Sequence, residues 1–315
     1  MNKHFSQTLA IVCALTISLT GMTFANATPR QADLSVFTTA AHMKTPRVLH
    51  TRPQAPTPVS TPTDFSYHGG PVMTNPANLY LIWYGNWPKF SRKKPVVQRF
   101  LKALGNTPYY WINSSYTQAN GEHVSRSLTV AQEIVDPYSL GKNIQDSDVA
   151  TIVSNAITNN SGFQTSSHIP DINGIYVVIT SSDVRNYSGF LTTYCGWHTV
   201  ATMSKVATKF IFAGDPSSDM SVCAPPSNRK QSPNGYPGMD ALASTLAHEI
   251  SETVTDPELT AWMDSNNREN ADLCAWQYGT TYASNSALAN LRFAYNDYLI
   301  QENWSLRKGG SCDVK

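Results

Sequence analysis

The sequence predicts one α/β domain with a mostly parallel sheet, flanking helices and an irregular, disulfide-tied C-terminal part. Three observations carry this. Nearly unbroken apolar runs at 78–84, 174–180 and 209–213 read as strands buried on both faces. Stretches of helical period alternate with them, and alternating strands and helices build a sheet covered on its faces. An even set of cysteines follows what looks like a secretory leader, as in an exported, disulfide-held chain.

The chain opens on Met1-Asn2-Lys3-His4, runs apolar over 9–24 and reaches Ala25-Asn26-Ala27. These are the three parts of a signal peptide, here 1–27, and the apolar run is shorter than the roughly 20 residues a bilayer span requires. A secreted protein is expected, extracellular or periplasmic, with no membrane attachment after cleavage. Lys and Arg number 23 against 22 Asp and Glu, with no basic run, which argues against nucleic acid as the main partner. Residues 28–66, with Pro46, Pro53, Pro56, Pro58 and Pro62, read as a linker or propeptide in which prolines fall too closely for helix or sheet. The globular domain is expected over 67–315.

Within it, the 78–84 strand stops at Gly85-Asn86. A helix then carries Val96, Val97, Phe100, Leu101 and Leu104 on one face, with Pro95 in its first turn and Gly105 at its end. Partial alternation over 123–134 predicts a strand, and Asp146 is expected to cap a helix whose stripe is Val149, Ile152, Val153 and Ile157. After the strands at 174–180 and 209–213, a Pro- and Gly-rich loop leads to a helix over 239–255, stopped by Asp256-Pro257. Beyond Trp262 periodicity fades, and irregular structure is expected. Cys13 leaves with the leader, so Cys195, Cys223, Cys274 and Cys312 remain for two disulfides. Of three pairings, the sequential one closes two loops without crossing; no CxxC pair seeds a zinc site made of cysteines.

The chemistry lies in Ala247-His248-Glu249-Ile250-Ser251-Glu252. Four residues apart on a helix, His248 and Glu252 share one face about a turn apart, which is metal-ligand spacing. The pattern matches the His-Glu-x-x-His zinc helix with Glu252 replacing the second histidine, and Glu249 sits where such helices place a general base. Zn2+ is the expected cofactor and a peptide or protein the expected substrate. For the third ligand Glu269 is preferred, with Asp272 as the group that orients a ligand histidine, or the two exchanged; Asp256 and Asp264 are weaker candidates. The plainer reading is a solvated helix with ordinary i,i+4 contacts. His198, in Tyr194-Cys195-Gly196-Trp197-His198, either joins the site or is structural beside its disulfide. An active-site helix after alternating strands and helices makes the expected domain zincin-like. Tyr109, Tyr110, Trp111 and Tyr116 would stack sugars if exposed, making cell-wall carbohydrate the second partner expectation. Asn113, Asn159, Asn186 and Asn303 head Asn-x-Ser sequons.

Several segments together resemble the phosphate-induced protein 1 (EXORDIUM-like) family: Tyr67-His68-Gly69-Gly70-Pro71-Val72, Leu79-Tyr80-Leu81-Ile82-Trp83-Tyr84-Gly85, Gln98-Arg99-Phe100-Leu101, the stretch 173–184 and Cys195-Gly196-Trp197-His198. The resemblance implies a secreted protein of the cell wall or apoplast, linked in plants to growth responses without an agreed biochemical activity. The plant pattern lacks the His-Glu pair that stands here at His248-Glu249. In that respect the chain looks like a microbial branch that resembles zinc-dependent hydrolases. A non-catalytic extracellular binding or signalling protein is the alternative the resemblance leaves open.

Overall fold

The computed structural model of the protein describes residues 43–51, 64–89, 92–293 and 295–315; the predicted signal peptide and most of the proline-rich segment lie outside them. In chain order the principal elements are β1 (Arg47–His50), β2 (Ala77–Tyr84), α1 (Lys94–Leu104), β3 (Leu128–Asp136), α2 (Asp146–Asn159), β4 (Gly174–Thr180), β5 (Tyr194–Met203), β6 (Val206–Gly214) and α3 (Pro237–Thr255).

The strands form one six-stranded sheet in the order β1-β5-β6-β4-β2-β3. Its two faces follow from the period of two along β2. Leu79, Leu81 and Trp83 face α1 and α3, meeting Val97, Phe100, Leu101, Leu242, Leu246 and Ile250. Tyr80, Ile82 and Tyr84 face α2, meeting Val149, Ile152, Val153 and Ile157. Helices on both faces explain why β2 and β4 read as continuous apolar runs.

The sheet is mixed, which corrects the expected mostly parallel arrangement. β2 pairs in parallel with β3 and β4, and β4 with β6, but β5 runs antiparallel to both β6 and β1. The cause is a tight hairpin: Met203 faces Val206, and Ser204 and Lys205 between them take φ of 47° and 65°. Two left-handed residues form the turn that twisted hairpins favour, but Ser-Lys lacks the Asn or Gly that announces it. β1 is the second departure. It comes from the segment expected to be neither helix nor sheet, and Pro46 immediately before it leaves its pairing intact.

Asp146 is not the cap of α2. Asp148 accepts the Gln145 N–H at 2.8 Å, while Asp146 Oδ1 accepts from Asn186, Tyr194 and Trp197 and so ties α2 to β5. The C-terminal part is more regular than expected, with three short hairpins: Tyr282–Ser284 with Ala287–Ala289, Leu291–Phe293 with Asn296–Tyr298, and Asn303–Ser305 with Ser311–Asp313. The disulfides are Cys195–Cys223 and Cys274–Cys312, each with Cα atoms 5.6 Å apart. Among the described residues no helix is long and apolar enough to cross a membrane.

Candidate metal centre

α3 is the central helix. Pro237 starts it, where a missing N–H does no harm, and Leu242, Leu246 and Ile250 press into the core against the sheet. The helix is so enclosed that His248, Glu249 and Glu252 are all 0% exposed. The solvated-face reading of the motif therefore fails. Ionisable groups at this depth must be paired or hold a cation, because an isolated buried charge is costly.

Glu252 is shared between two histidines. Its Oε1 lies 3.0 Å from His248 Nε2, which is also 3.5 Å from Asp272 Oδ1. Its Oε2 lies 3.5 Å from Nε2 of His198 on β5, and His198 is 2.8 Å from Glu269 Oε2. Two sets of ligand atoms thus lie within 4.8 Å of one another: His248, Glu252 and Asp272, and His198, Glu249 and Glu252. Sequence spacing placed Glu269 with His248 and Asp272 behind it; the fold brings Asp272 to His248 and gives Glu269 to His198.

The 269–274 loop is held by three ties, two of them to α3 and one to the C-terminal hairpin. The Asp272 N–H donates to Glu252 Oε1 at 3.0 Å, the Thr255 hydroxyl donates to Asn270 Oδ1 at 3.1 Å, and Cys274 is bridged to Cys312. On the other side Gly196 of β5 is required by close approach. A Cβ there would meet Thr245 Cγ2 at 2.6 Å and Glu249 Oε1 at 3.1 Å.

The electrostatics are those of crowded acids. Burial, then Glu252, push the Glu249 carboxyl well above the usual range, with His248 opposing. Glu252 is pushed up to about 7 by burial and Asp272, against the pull of His248. Glu269 is driven well up by burial and by Glu252, Asp256 and Asp272, with Arg47 opposing. Burial lowers His248, but Glu252, Asp272 and Glu249 outweigh it and hold its proton on. His198 falls to about 3 through burial, His248 and Arg47, and its Nε2 lies 2.8 Å from Glu269 Oε2.

Both ring nitrogens of His248, both oxygens of Glu249, Glu252 Oε2 and Glu269 Oε1 are buried without a hydrogen-bond partner. His248 Nε2 and Glu252 Oε1 are close yet misaligned for a hydrogen bond. Donors bound to one tetrahedral zinc at about 2 Å stand roughly 3.3 Å apart, and the separations of 3.0 and 3.5 Å around His248 bracket that value. Imidazole and carboxylate are zinc donors, so these residues fit the ion.

The remaining candidates do other work. Asp256 accepts from the amides of Thr260 and Ala261 and shapes the turn after α3; burial raises it to about 6. Asp264 is a turn acid bonded to Arg268. Tyr109, Tyr110 and Tyr116 are buried core and cannot stack a sugar, while Trp111 is 36% exposed. Of the sequon asparagines, Asn113, Asn186 and Asn303 are buried and only Asn159 is exposed. Sequence reasoning missed Leu49 and Arg47, which β1 brings to the site; no local signal marked them.

Residues 65–292 match the conserved region of phosphate-induced protein 1. The chain belongs to the phosphate-induced protein 1 family. It is 29% identical over 242 residues to Protein EXORDIUM-like 5 of Arabidopsis thaliana, covering 68% of this chain and 64% of that protein, under two thirds of its length. Protein EXORDIUM-like 3 of the same plant is 28% identical over 274 residues, 76% of this chain and 80% of the relative. Protein PHOSPHATE-INDUCED 1 of Nicotiana tabacum is 24% identical over 217 residues, 61% and 64% of the two chains. No solved structure matches the chain. Family membership read from the sequence is thereby borne out. The conserved region of the phosphate-induced protein 1 family takes in His198 through Asp272 but begins downstream of β1.

Proposed function

We propose that this protein is a secreted, zincin-like metallohydrolase of the peptidase class, in which His248, Glu252 and Asp272 hold a zinc ion and Glu249 is the general base. One observation carries the reading: around His248 Nε2, a buried imidazole nitrogen with no hydrogen-bond partner, Glu252 Oε1 and Asp272 Oδ1 stand at 3.0 and 3.5 Å, the spacing of donors to a common ion. When bound, such an ion acidifies water and polarises a carbonyl. Glu249, with neither oxygen engaged, takes a proton from the attacking water and returns it to the leaving amine. His198, held by Glu269, stands against the second oxygen of Glu252 and limits its rotation. Two disulfides accord with an exported protein.

The non-catalytic binding or signalling reading is favoured by one feature, the complete burial of Glu249. Glu249→Gln separates the two. The hydrolase reading expects retained zinc and lost turnover on a panel of fluorogenic peptides; unchanged turnover would remove Glu249 from the mechanism.

A further inference from the structure

One of the elements that cover Glu249 is β1. It pairs antiparallel with β5, setting Leu49 opposite Gly196 and Arg47 opposite His198, directly beside Glu249 and the His198–Glu269 pair. Leu49 is 0% exposed and packs with the Cys195–Cys223 bridge, Leu191, Val222 and Trp276. Arg47 bonds to Asn267 Oδ1 at 3.2 Å, on the loop leading to Glu269. Arg47 also lies 3.9 Å from Met263 Sδ and Val48 packs on the α2 side of the sheet, and backbone bonds hold the rest. The Lys44 N–H donates to Val200 O and the Thr51 N–H to Thr193 O, both at 3.0 Å, and the Trp276 indole donates to His50 O at 3.2 Å. Backbone pairing at a sheet edge with alternate side chains seated in pockets is how extended peptides are recognised. The strand also comes from upstream of the family's conserved region, which begins at residue 65. Without it β5 would be the edge of the sheet, with the pocket that seats Leu49 uncovered beside Gly196.

We propose that residues 47–50 occupy in cis the groove in which a substrate binds, and that this substrate is an extended peptide with an aliphatic side chain in the Leu49 pocket and a basic one two residues before it. The inference rests on the hydrolase reading for the word substrate, but the groove stands without it. Tethering keeps the segment at an effective concentration of about 1 mM, so a weak intrinsic affinity suffices to close the groove in the intact chain and is lost once the tether is cut.

The test uses the full secreted chain with a specific protease sequence placed between Thr51 and Asp64, cut after folding. The expected result is that the N-terminal piece separates on gel filtration while the circular dichroism of the rest is unchanged. A synthetic peptide spanning Met43–Thr51 then rebinds and a scrambled one does not. Hydrolysis of a fluorogenic peptide carrying Arg-Val-Leu rises roughly tenfold or more on cutting. In the uncut chain, Leu49→Asp reproduces part of that rise. A piece that stays bound, or whose removal unfolds the remainder, makes β1 a structural strand and overturns the proposal. Equal hydrolysis before and after cutting overturns it and leaves the peptidase reading intact. Release and specific rebinding without hydrolysis uphold the groove and remove the peptidase reading.

Discussion

At the residue scale the most informative position is Glu249, a carboxylate with both oxygens buried and without a hydrogen-bond partner. If it is the base, Glu249→Gln lowers turnover by roughly a hundredfold or more without loss of metal, measured as initial rates beside metal content. Lys209 gives an independent check on burial. Its ammonium sits almost fully buried on backbone carbonyls of Ile172 and Ala207, and burial lowers it to about 8 although Asp171 and Glu258 oppose. Between that value and its ordinary 10.5 the unfolded chain binds the extra proton, so this group makes stability rise with pH across the window, by at most about 3 kcal/mol. The thermal midpoint of Lys209→Met relative to the parent should therefore fall between pH 7.5 and pH 10, and a constant difference would contradict the assignment. His248, Glu249 and Glu252 were legible in sequence because helical spacing alone puts His248 and Glu252 on one face. Which acid meets His248 was not, because the path of the 269–272 loop depends on Thr255 and Cys312, both remote in sequence.

At the element scale α3 does two jobs, filling the core on one side and presenting the cluster on the other. Leu246→Ala should cost about 2 to 5 kcal/mol, read as a lower urea midpoint at unchanged slope, since it empties the core behind the site. α1, α2 and α3 were visible from their apolar period, as were β2 and β4 from their continuous runs. β5 was not. Its residues read as a cysteine-glycine-histidine motif, and its turn, Ser204-Lys205, takes left-handed backbone without Gly or Asn to announce it. β1 was hidden for another reason: a four-residue strand gains its stability wholly from the edge it joins, so composition around Pro46 pointed elsewhere.

At the scale of the whole molecule, a three-layer core supports a site closed from one side by the 269–274 loop and from the other by β5 and β1. The Cys274–Cys312 bridge anchors that loop two residues from Asp272. Replacing both cysteines with alanine should lower stability by about 2 to 4 kcal/mol and also weaken zinc retention in a chelator competition; stability loss with unchanged retention would mean that Asp272 is not a ligand. Two disulfides and membership of the phosphate-induced protein 1 family accord with an exported protein, and catalysis turns on the ion. The decisive measurement is elemental analysis of the folded, zinc-supplied protein, prepared without chelator, beside a variant carrying both His248→Ala and Glu252→Ala. The account predicts near-stoichiometric zinc in the parent and its loss in the variant, whereas a folded parent that carries no metal would contradict it.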